Sequence, residues 1–223
     1  MATLAERFAA VTQDVAAAAR DAGRDPAQIT TIIVTKFHPA SLVRELASLG
    51  ARDVGENRHQ EAAAKAAELV DLGLTWHFVG QLQANKAAAA LEYASVVHSV
   101  DRASLVGALE KTQRALGVFL QLNLSDDPQR GGVEPAKLEQ LAERVLAAPT
   151  LELLGLMAVA RIDAEPRAEF ARVREASERL RRLAPGASRL SMGMSGDYRE
   201  AIAEGATHLR IGTAITGNRP PAS

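Results

Sequence analysis

Eight short apolar segments divide the chain, and stretches with helical patterning separate them from one another. Strands that alternate with helices normally pair in parallel through right-handed crossovers. Eight such units close into a barrel, so we predict an α/β fold built as a single (β/α)8 TIM-type barrel. The rival is an open doubly wound sheet, which the number of segments favours less. The predicted strands are residues 29–36, 52–56, 76–80, 95–100, 118–124, 153–159, 189–192 and 207–211.

The segment before the first strand lies outside the eight strand–helix units. Residues 3–22 predict an amphipathic helix, because apolar side chains recur on one face from Leu4 to Val15. Only a short segment, 213–223, follows the eighth strand, and its glycine and prolines oppose a long helix. We therefore expect the extra N-terminal helix to fill the gap in the outer layer of the barrel. No linker or repeat interrupts the pattern, so residues 1–223 are predicted to form a single domain.

The composition narrows the class of protein. Hydrophobic residues make up 47% of the 223 residues and charged residues 24%, which is ordinary for a globular protein. The net charge of −1 offers no basic surface for nucleic acid, and the lack of cysteine excludes disulfides and thiolate metal sites. The N-terminal residues are charged where a signal peptide is apolar, and no apolar stretch could span a bilayer. We expect a cytoplasmic protein that binds neither nucleic acid nor membranes.

Polar side chains recur where the predicted strands end. Lys36 closes the first strand, just before a turn marked by His38-Pro39. An amine at the carboxyl end of a barrel strand is where such a fold places a group that reacts with a carbonyl ligand. Because all carboxyl ends share one face of a barrel, the other candidates are expected near it. They are Asn57, His77, Asn123, Met157, Ser191 and Arg210.

Each of these residues also has an ordinary structural interpretation. Lys36 fits a solvated lysine at a strand end, and His77 fits a partly buried histidine with a local partner. Asn57 fits the cap of the following helix, and Asn123 fits a turn or a cap. Met157 is best explained as a core residue. The shared face, more than any single residue, therefore carries the functional interpretation.

Two glycine- and hydroxyl-containing turns predict a phosphate site. Gly212 and Thr213 follow the eighth strand, where glycine lets backbone N–H groups approach an anion. Ser191 and Ser195 flank a second turn that leads into a predicted helix. Phosphate sites of barrels commonly form from the loops after strands seven and eight, although ordinary turns remain the alternative. With Lys36 on the same face, the pattern suggests pyridoxal 5′-phosphate (PLP) held as a Schiff base.

Several familiar motifs are absent. The sequence contains neither G-x-G-x-x-G nor G-x-x-x-x-G-K-[ST], so dinucleotide and P-loop sites lack support. No G-x-S-x-G marks a nucleophilic serine. There is no H-E-x-x-H, and the five histidines show no metal-ligand spacing, so we predict no metal site.

Seven segments, each unremarkable alone, combine into a specific pattern. They are Val34-Thr-Lys36, Asp53-Val-Gly-Glu-Asn57, Trp76-His-Phe-Val-Gly-Gln-Leu-Gln-Ala-Asn-Lys86, Leu154-Gly-Leu-Met157, Leu190-Ser-Met-Gly-Met-Ser-Gly-Asp197, Ala201-Ile202 and Arg210-Ile-Gly-Thr213. With them the chain resembles, over nearly its whole length, the PLP homeostasis (YggS or PROSC) family. The resemblance implies a barrel similar to the N-terminal domain of alanine racemase, with PLP linked to Lys36 and Arg210 facing the pyridine nitrogen. It also implies that Ser191, Gly212 and Thr213 hold the phosphate. With Asn57 and His77 added from the strand ends, the predicted cofactor-binding residues are Lys36, Asn57, His77, Ser191, Arg210, Gly212 and Thr213.

The resemblance implies a carrier rather than an enzyme. A racemase needs two bases, and Tyr198 is the one tyrosine placed to stand in for the second. Arg210 at the pyridine nitrogen would favour the unprotonated ring, which weakens PLP as an electron sink. We therefore expect a monomeric, non-catalytic protein that buffers or delivers PLP, maintaining intracellular vitamin B6 and amino-acid homeostasis. PLP-dependent apo-enzymes would be its acceptors.

Two other functions stay open. One is a weak PLP-dependent amino-acid racemase. The other is a barrel enzyme that acts on a phosphorylated sugar through a Schiff-base lysine, as aldolases do. Lys86, which follows the third strand, is predicted to accept PLP from Lys36 or to hold an anionic acceptor, and a solvated lysine is the alternative.

Overall fold

A computed structural model describes residues 2–125, 127 and 130–218, and eight parallel strands within them close into a barrel. Each strand pairs with the next, and β8 pairs with β1 through Thr30 and His208. The (β/α)8 barrel and its eight predicted segments are therefore confirmed, and the open sheet is wrong. The strands are β1 (Thr30–Val34), β2 (Asp53–Glu56), β3 (Thr75–Phe78), β4 (Val96–Val100), β5 (Leu116–Gln121), β6 (Leu151–Met157), β7 (Arg189–Ser191) and β8 (His208–Ile211).

Helices form the outer layer of the barrel. Short 3-10 turns occur between some of them, for example before β1 and after β3. Among the described residues, no helix combines the length and apolarity needed to cross a membrane. The helices are α1 (Leu4–Asp21), α2 (Ala40–Ser48), α3 (His59–Glu68), α4 (Ala87–Ala90), α5 (Ala103–Leu109), α6 (Leu138–Leu146), α7 (Pro166–Leu183), α8 (Tyr198–Ala203) and α9 (Thr213–Thr216).

The N-terminal helix closes the outer layer, as predicted. Thr3 and Glu6 form a capping box that starts α1, because each side chain accepts a hydrogen bond from the other residue's backbone N–H. Between β8 and residue 218 the chain forms the single turn of α9, and α1 packs against both α8 and α9. Arg7 Nε donates a hydrogen bond to the Ile215 carbonyl at 2.7 Å, which ties the two ends of the described chain together.

The core is apolar except at a few strand positions. Side chains such as Val97, Leu105, Leu156 and Val173 are fully buried where strands and helices meet. Burial of apolar surface in this layer is the main source of stability. The buried polar side chains include four on different strands, β3, β4, β7 and β8, namely His77, His98, Ser191 and Arg210.

Two details of backbone geometry shape the barrel. Strand β1 ends at Val34, two residues before the predicted end, because Phe37 adopts a φ of 69° and turns the chain. Lys36 therefore lies in the turn beyond the strand. In β6, Gly155 has a φ of 151°, and a Cβ atom there would lie 1.8 Å from the Arg189 carbonyl oxygen. Glycine at this position lets β7 approach β6 closely enough to pair.

Candidate functional site

A cavity of ≈ 380 Å³ opens at the carboxyl ends of the strands. It lies between the segments that follow β1, β2, β3, β7 and β8, on the face where barrels carry their functional groups. Five of the predicted residues line it together, namely Lys36, Asn57, Arg210, Gly212 and Thr213. The wall also includes Gly80 and the segment Met194, Ser195 and Gly196.

The amine of Lys36 has no acidic partner within the described ranges. Its side chain is exposed, and Nζ lies 5.7 Å from the centroid of the Phe37 ring. The residue before it is held firmly, because Thr35 Oγ1 donates a hydrogen bond of 2.7 Å to Glu56 Oε1. Lys65 Nζ donates to the same carboxylate at 2.6 Å and to the Thr35 carbonyl at 2.8 Å. The exposed amine of Lys36 therefore follows directly on a backbone position that buried hydrogen bonds hold in place.

This buried network was not predicted. Glu56 is 0% exposed and Lys65 is 8% exposed, so both charges lie inside the protein. An acidic residue at the end of an apolar strand and a lysine nine positions later are the signals in the sequence that point to it. From the sequence alone, both charged residues would be assigned to the solvent-exposed surface. The packing of α3 on β2 buries them, and the sequence pattern does not reveal this packing.

Asn57 lines the cavity and carries a buried acceptor. Its Oδ1 atom is buried and has no hydrogen-bond partner among the described residues. The alternative role as a helix cap does not apply, because α3 is preceded by Arg58 and no side chain caps it. Gly80 makes room for Asn57, since a Cβ atom at Gly80 would lie 2.4 Å from the Asn57 carbonyl oxygen. A buried acceptor without a partner on the cavity wall fits a polar ligand.

The loops after β7 and β8 meet at Ser195. Its hydroxyl accepts a hydrogen bond of 3.3 Å from the backbone N–H of Ala214. Gly193 allows the first loop to pass close to α8, because its φ is 92° and a Cβ atom would lie 2.6 Å from that of Ala201. The two loops thus bring the hydroxyls of Ser195 and Thr213 to one side of the cavity. Small residues and hydroxyls in this arrangement suit an anion.

Arg210 is anchored from beneath the cavity. Its Nη1 donates to the Ser191 carbonyl at 2.6 Å and to Ser191 Oγ at 2.8 Å, and Nη2 donates to the Ala158 carbonyl at 2.8 Å. Burial lowers the pKa of Arg210 to about 10, which still leaves it a cation at neutral pH. Two of its five N–H groups, on Nε and Nη2, have no partner in the described part of the chain. Arg210 can therefore donate to a ligand without losing its anchors.

Two of the predicted residues do not reach the cavity wall. Ser191 is fully buried and hydrogen-bonds both Arg210 and His98. His77 is 2% exposed and hydrogen-bonds Asp53 and His98. Strands β4 and β7 are not neighbours in the sheet, so a contact between His98 and Ser191 must cross the barrel interior. Both predicted residues are thus committed to bonds inside the barrel.

The tyrosines lie away from the cavity. The Tyr198 hydroxyl donates a hydrogen bond to Asp14 on α1, and burial together with this bond raises the pKa of Tyr198 to about 12. Tyr93 packs against Trp76 and His59, and burial raises the pKa of its hydroxyl as well. Neither residue is placed or poised to act as a base in the cavity.

The remaining candidates occupy structural positions. Asn123 Oδ1 accepts a hydrogen bond of 2.8 Å from the Ser125 N–H, which is the turn that the sequence suggested. Met157 is 2% exposed and packs in the core with Phe119. Lys86 is exposed in the 3-10 turn after β3 and does not line the cavity.

Comparison with known proteins shows which family has this sequence and architecture. The family model described as the alanine racemase N-terminal domain matches residues 5–220. The pyridoxal phosphate homeostasis protein of Pseudomonas aeruginosa is 45% identical, over 98% of this chain and 97% of that protein. The structure of PipY from Synechococcus elongatus PCC7942 with PLP bound has a TM-score of 0.84 and 38% identity, over 96% of this chain and 100% of PipY.

A more distant structural neighbour shares the fold of this chain but has low sequence identity to it. Alanine racemase from Corynebacterium glutamicum has a TM-score of 0.71, but the match has 18% identity and covers 96% of this chain and 62% of the enzyme. That likeness shows a shared barrel alone. The closer relatives confirm the resemblance that the sequence motifs carry. By its family model and by 45% identity over nearly its full length, the chain belongs to the alanine racemase N-terminal domain family and, within it, to the pyridoxal phosphate homeostasis proteins.

Proposed function

We propose that this protein binds PLP without catalysing a reaction on it, and that it buffers or delivers the cofactor. The observation that carries the proposal is the position of Lys36 on the same cavity as Arg210 and the Ser195 and Thr213 hydroxyls. PLP supplies an aldehyde that condenses with amines, a pyridine ring and a phosphate. Such a protein would maintain intracellular vitamin B6 and amino-acid homeostasis. From the sequence we also expect a cytoplasmic monomer.

Each part of the cavity has a role in this proposal. Lys36 would hold the aldehyde carbon covalently through Nζ. Ser195, Gly212 and Thr213 would hold the phosphate, because hydroxyls and backbone N–H groups form strong hydrogen bonds to an anion. Arg210 would donate to the pyridine nitrogen, and Asn57 Oδ1 would accept from a polar group of the ligand. The relatives named for PLP homeostasis, and the PLP-bound structure of PipY, support this assignment.

The surroundings favour holding the cofactor over chemistry. Arg210 stays a cation at neutral pH and has no acceptor atom, so it leaves the ring nitrogen unprotonated. The hydroxyl of Tyr198, the tyrosine considered as a second base, is bound to Asp14. Lys36 is exposed, so water and an acceptor protein can both reach the attached cofactor. Delivery to PLP-dependent apo-enzymes follows from that access.

The hydroxyls of the phosphate loops should contribute measurably to affinity. We expect Thr213→Val and Ser195→Ala each to weaken PLP binding by about 1–3 kcal/mol, because each leaves part of a buried anion without a partner. Titration of the apo-protein with PLP measures this loss. Pyridoxal, which has no phosphate, is the matched control ligand, and its affinity should change little in either variant. Equal losses for both ligands would contradict the placement of the phosphate.

The carrier and enzyme interpretations differ in turnover. Incubation of PLP-loaded protein with L- and D-amino acids, followed by chiral analysis, should give no racemisation, transamination or decarboxylation at an ordinary enzymatic rate of about 1 per second. The Lys36→Ala variant gives the background. Turnover at that rate that depends on Lys36 would favour the racemase. Loss of PLP from the loaded protein to an added PLP-dependent apo-enzyme would support delivery.

A further inference from the structure

A row of hydrogen bonds runs through the barrel interior and ends at the cavity. Asp53 Oδ1 lies 2.9 Å from His77 Nε2, and His77 Nδ1 lies 2.9 Å from His98 Nε2. His98 Nδ1 lies 2.8 Å from Ser191 Oγ, which accepts a 2.8 Å hydrogen bond from Arg210 Nη1. We call these residues, Asp53, His77, His98, Ser191 and Arg210, the interior chain. It links the amino end of β2 to a residue that lines the cavity.

The residues at the two ends of the interior chain, Asp53 and Arg210, fix the direction in which its hydrogen bonds are donated. An ionised carboxylate can only accept, so His77 donates through Nε2, and a neutral His77 then accepts at Nδ1. His98 must therefore donate through Nε2 and accept at Nδ1, where the Ser191 hydroxyl donates to it. This leaves the lone pairs of Ser191 Oγ for Arg210, which can only donate. Every donor then points from Arg210 towards Asp53.

The opposite direction is unfavourable. It requires a charged His77 and places the proton of His98 on Nδ1, facing Ser191. Ser191 Oγ would accept from both His98 and Arg210, and its own proton would have no acceptor within the described ranges, although Ser191 is 0% exposed. Burial, with the positive charge of Arg210 nearby, lowers the pKa of His98 well below its usual value, so His98 is neutral in either direction and the proton of Ser191 decides between them. Only the direction from Arg210 to Asp53 gives every donor and acceptor of the interior chain a partner.

We propose that the interior chain is a positioning device for Arg210 and that His98 is its central link. Ser191 Oγ presents a lone pair to Arg210 Nη1 while His98 takes the serine proton, so His98 orients this hydroxyl contact, which adds to the bond between Nη1 and the Ser191 carbonyl. With Nη1 anchored, the N–H groups of Arg210 that have no partner among the described residues stay available to a ligand in the cavity that Arg210 lines. The aligned bonds also polarise one another and spread the buried positive charge towards Asp53. The functional half of this inference rests on the proposed binding of PLP.

Two alternatives for the histidines are less satisfactory. Among residues 2–125, 127 and 130–218, no group of His, Asp and Glu side chains has the geometry to hold a metal ion. Simple aromatic packing accounts for His208, whose ring lies 5.2 Å from that of Phe119 and whose Nδ1 bonds Thr207. His98 also stacks on Phe119, with 4.6 Å between ring centroids, yet both its nitrogens are used in the chain. His208 lies outside the interior chain, and its ring is 6.5 Å from that of His98, so His208→Phe is a control for altered packing around His98 with the hydrogen bonds of the chain intact.

Nitrogen NMR of the unaltered protein, labelled with 15N-histidine, tests the direction without PLP. We expect His77 and His98 to be neutral, with the proton on Nε2 in both rings. A scalar coupling across the hydrogen bond should connect His98 Nε2 with His77 Nδ1, and the proton should belong to His98. A proton on Nδ1 of either ring would overturn the proposal, whether or not the protein binds PLP.

Variants test the effect on Arg210. His98→Phe and His208→Phe each replace a buried imidazole beside Phe119 with a phenyl ring, but only the first breaks the interior chain. We expect His98→Phe to weaken PLP binding about tenfold and to shift the visible absorption maximum of bound PLP, while His208→Phe does neither. His98→Gln, which keeps a donor and an acceptor, should restore most of the affinity. Equal affinities and spectra for the two phenyl variants would overturn the proposal.

The two measurements separate this inference from the proposed function. If the unaltered protein fails to bind PLP, the proposed function is wrong, and the histidine protonation states still decide whether the chain has the stated direction. If His98→Phe does not fold, which thermal unfolding will reveal, the comparison between His98→Gln and the unaltered protein replaces it. A His98→Gln protein that folds but binds PLP as weakly as Lys36→Ala contradicts the positioning role, because the amide preserves both hydrogen bonds.

Discussion

Replacing Lys36 with alanine should abolish the covalent attachment of PLP and the visible colour that accompanies it. The amine is the group on the cavity wall that can bond to the aldehyde, and it has no acidic partner to occupy it in the described part of the chain. The phosphate contacts remain in the variant, so we expect residual reversible binding that is weaker by roughly tenfold or more, or at least about 1.4 kcal/mol. Visible absorption and equilibrium dialysis measure the two effects separately.

Peptide mapping after borohydride reduction identifies the attachment site directly. The label should appear on Lys36 in the unaltered protein. Lys111→Ala is a suitable control, because Lys111 is exposed between α5 and β5, at the end of the barrel opposite the cavity. That variant should keep both its colour and its label. A label found solely on another lysine would remove Lys36 from the site.

The fold was largely predictable because its signal is periodic. Alternating strands and helices need only a count of segments and their spacing, and every predicted strand overlaps an observed one. The end of β1 was misplaced by two residues because Phe37 adopts a left-handed conformation, which a non-glycine residue rarely does. Local sequence does not reveal such a turn, since the surrounding packing imposes it.

The residues that line the cavity were largely predictable, but the contacts beneath it, inside the barrel, were not. Strand ends share a face, and this alone brings Lys36, Asn57, Arg210, Gly212 and Thr213 together. Whether Ser191 or Ser195 faces the cavity depends on where β7 ends, and Ser191 belongs to the strand and points inward. The partners of His98 come from strands far apart in sequence, so no spacing rule could find them. Contacts across the barrel interior need the three-dimensional register.

The buried pair of Lys65 and Glu56, beneath Lys36, also forms through packing that the sequence does not reveal. Its disruption is the substitution with the largest expected effect on stability. Lys65 and Glu56 lie on different elements, and their side chains are 9% and 0% exposed. Glu56 accepts from Lys65 and Thr35 through Oε1, whereas Oε2 has no partner among the described residues. The carboxylate therefore depends on the lysine to offset its burial. Removing one charge of such a pair is costly, because the other stays buried and uncompensated.

We expect Lys65→Met to lower the free energy of unfolding by about 3–5 kcal/mol, as measured by urea denaturation. The double variant Lys65→Met with Glu56→Met should recover much of this loss, because it removes the stranded carboxylate as well. Arg44→Met breaks the exposed pair of Arg44 with Asp71, whose side chains are 48% and 57% exposed, and should change the free energy of unfolding little, because water screens both charges. If Lys65→Met costs no more than Arg44→Met, the buried pair does not stabilise the fold. Because Lys65 also holds the Thr35 carbonyl, folded Lys65→Met protein should bind PLP more weakly than the unaltered protein.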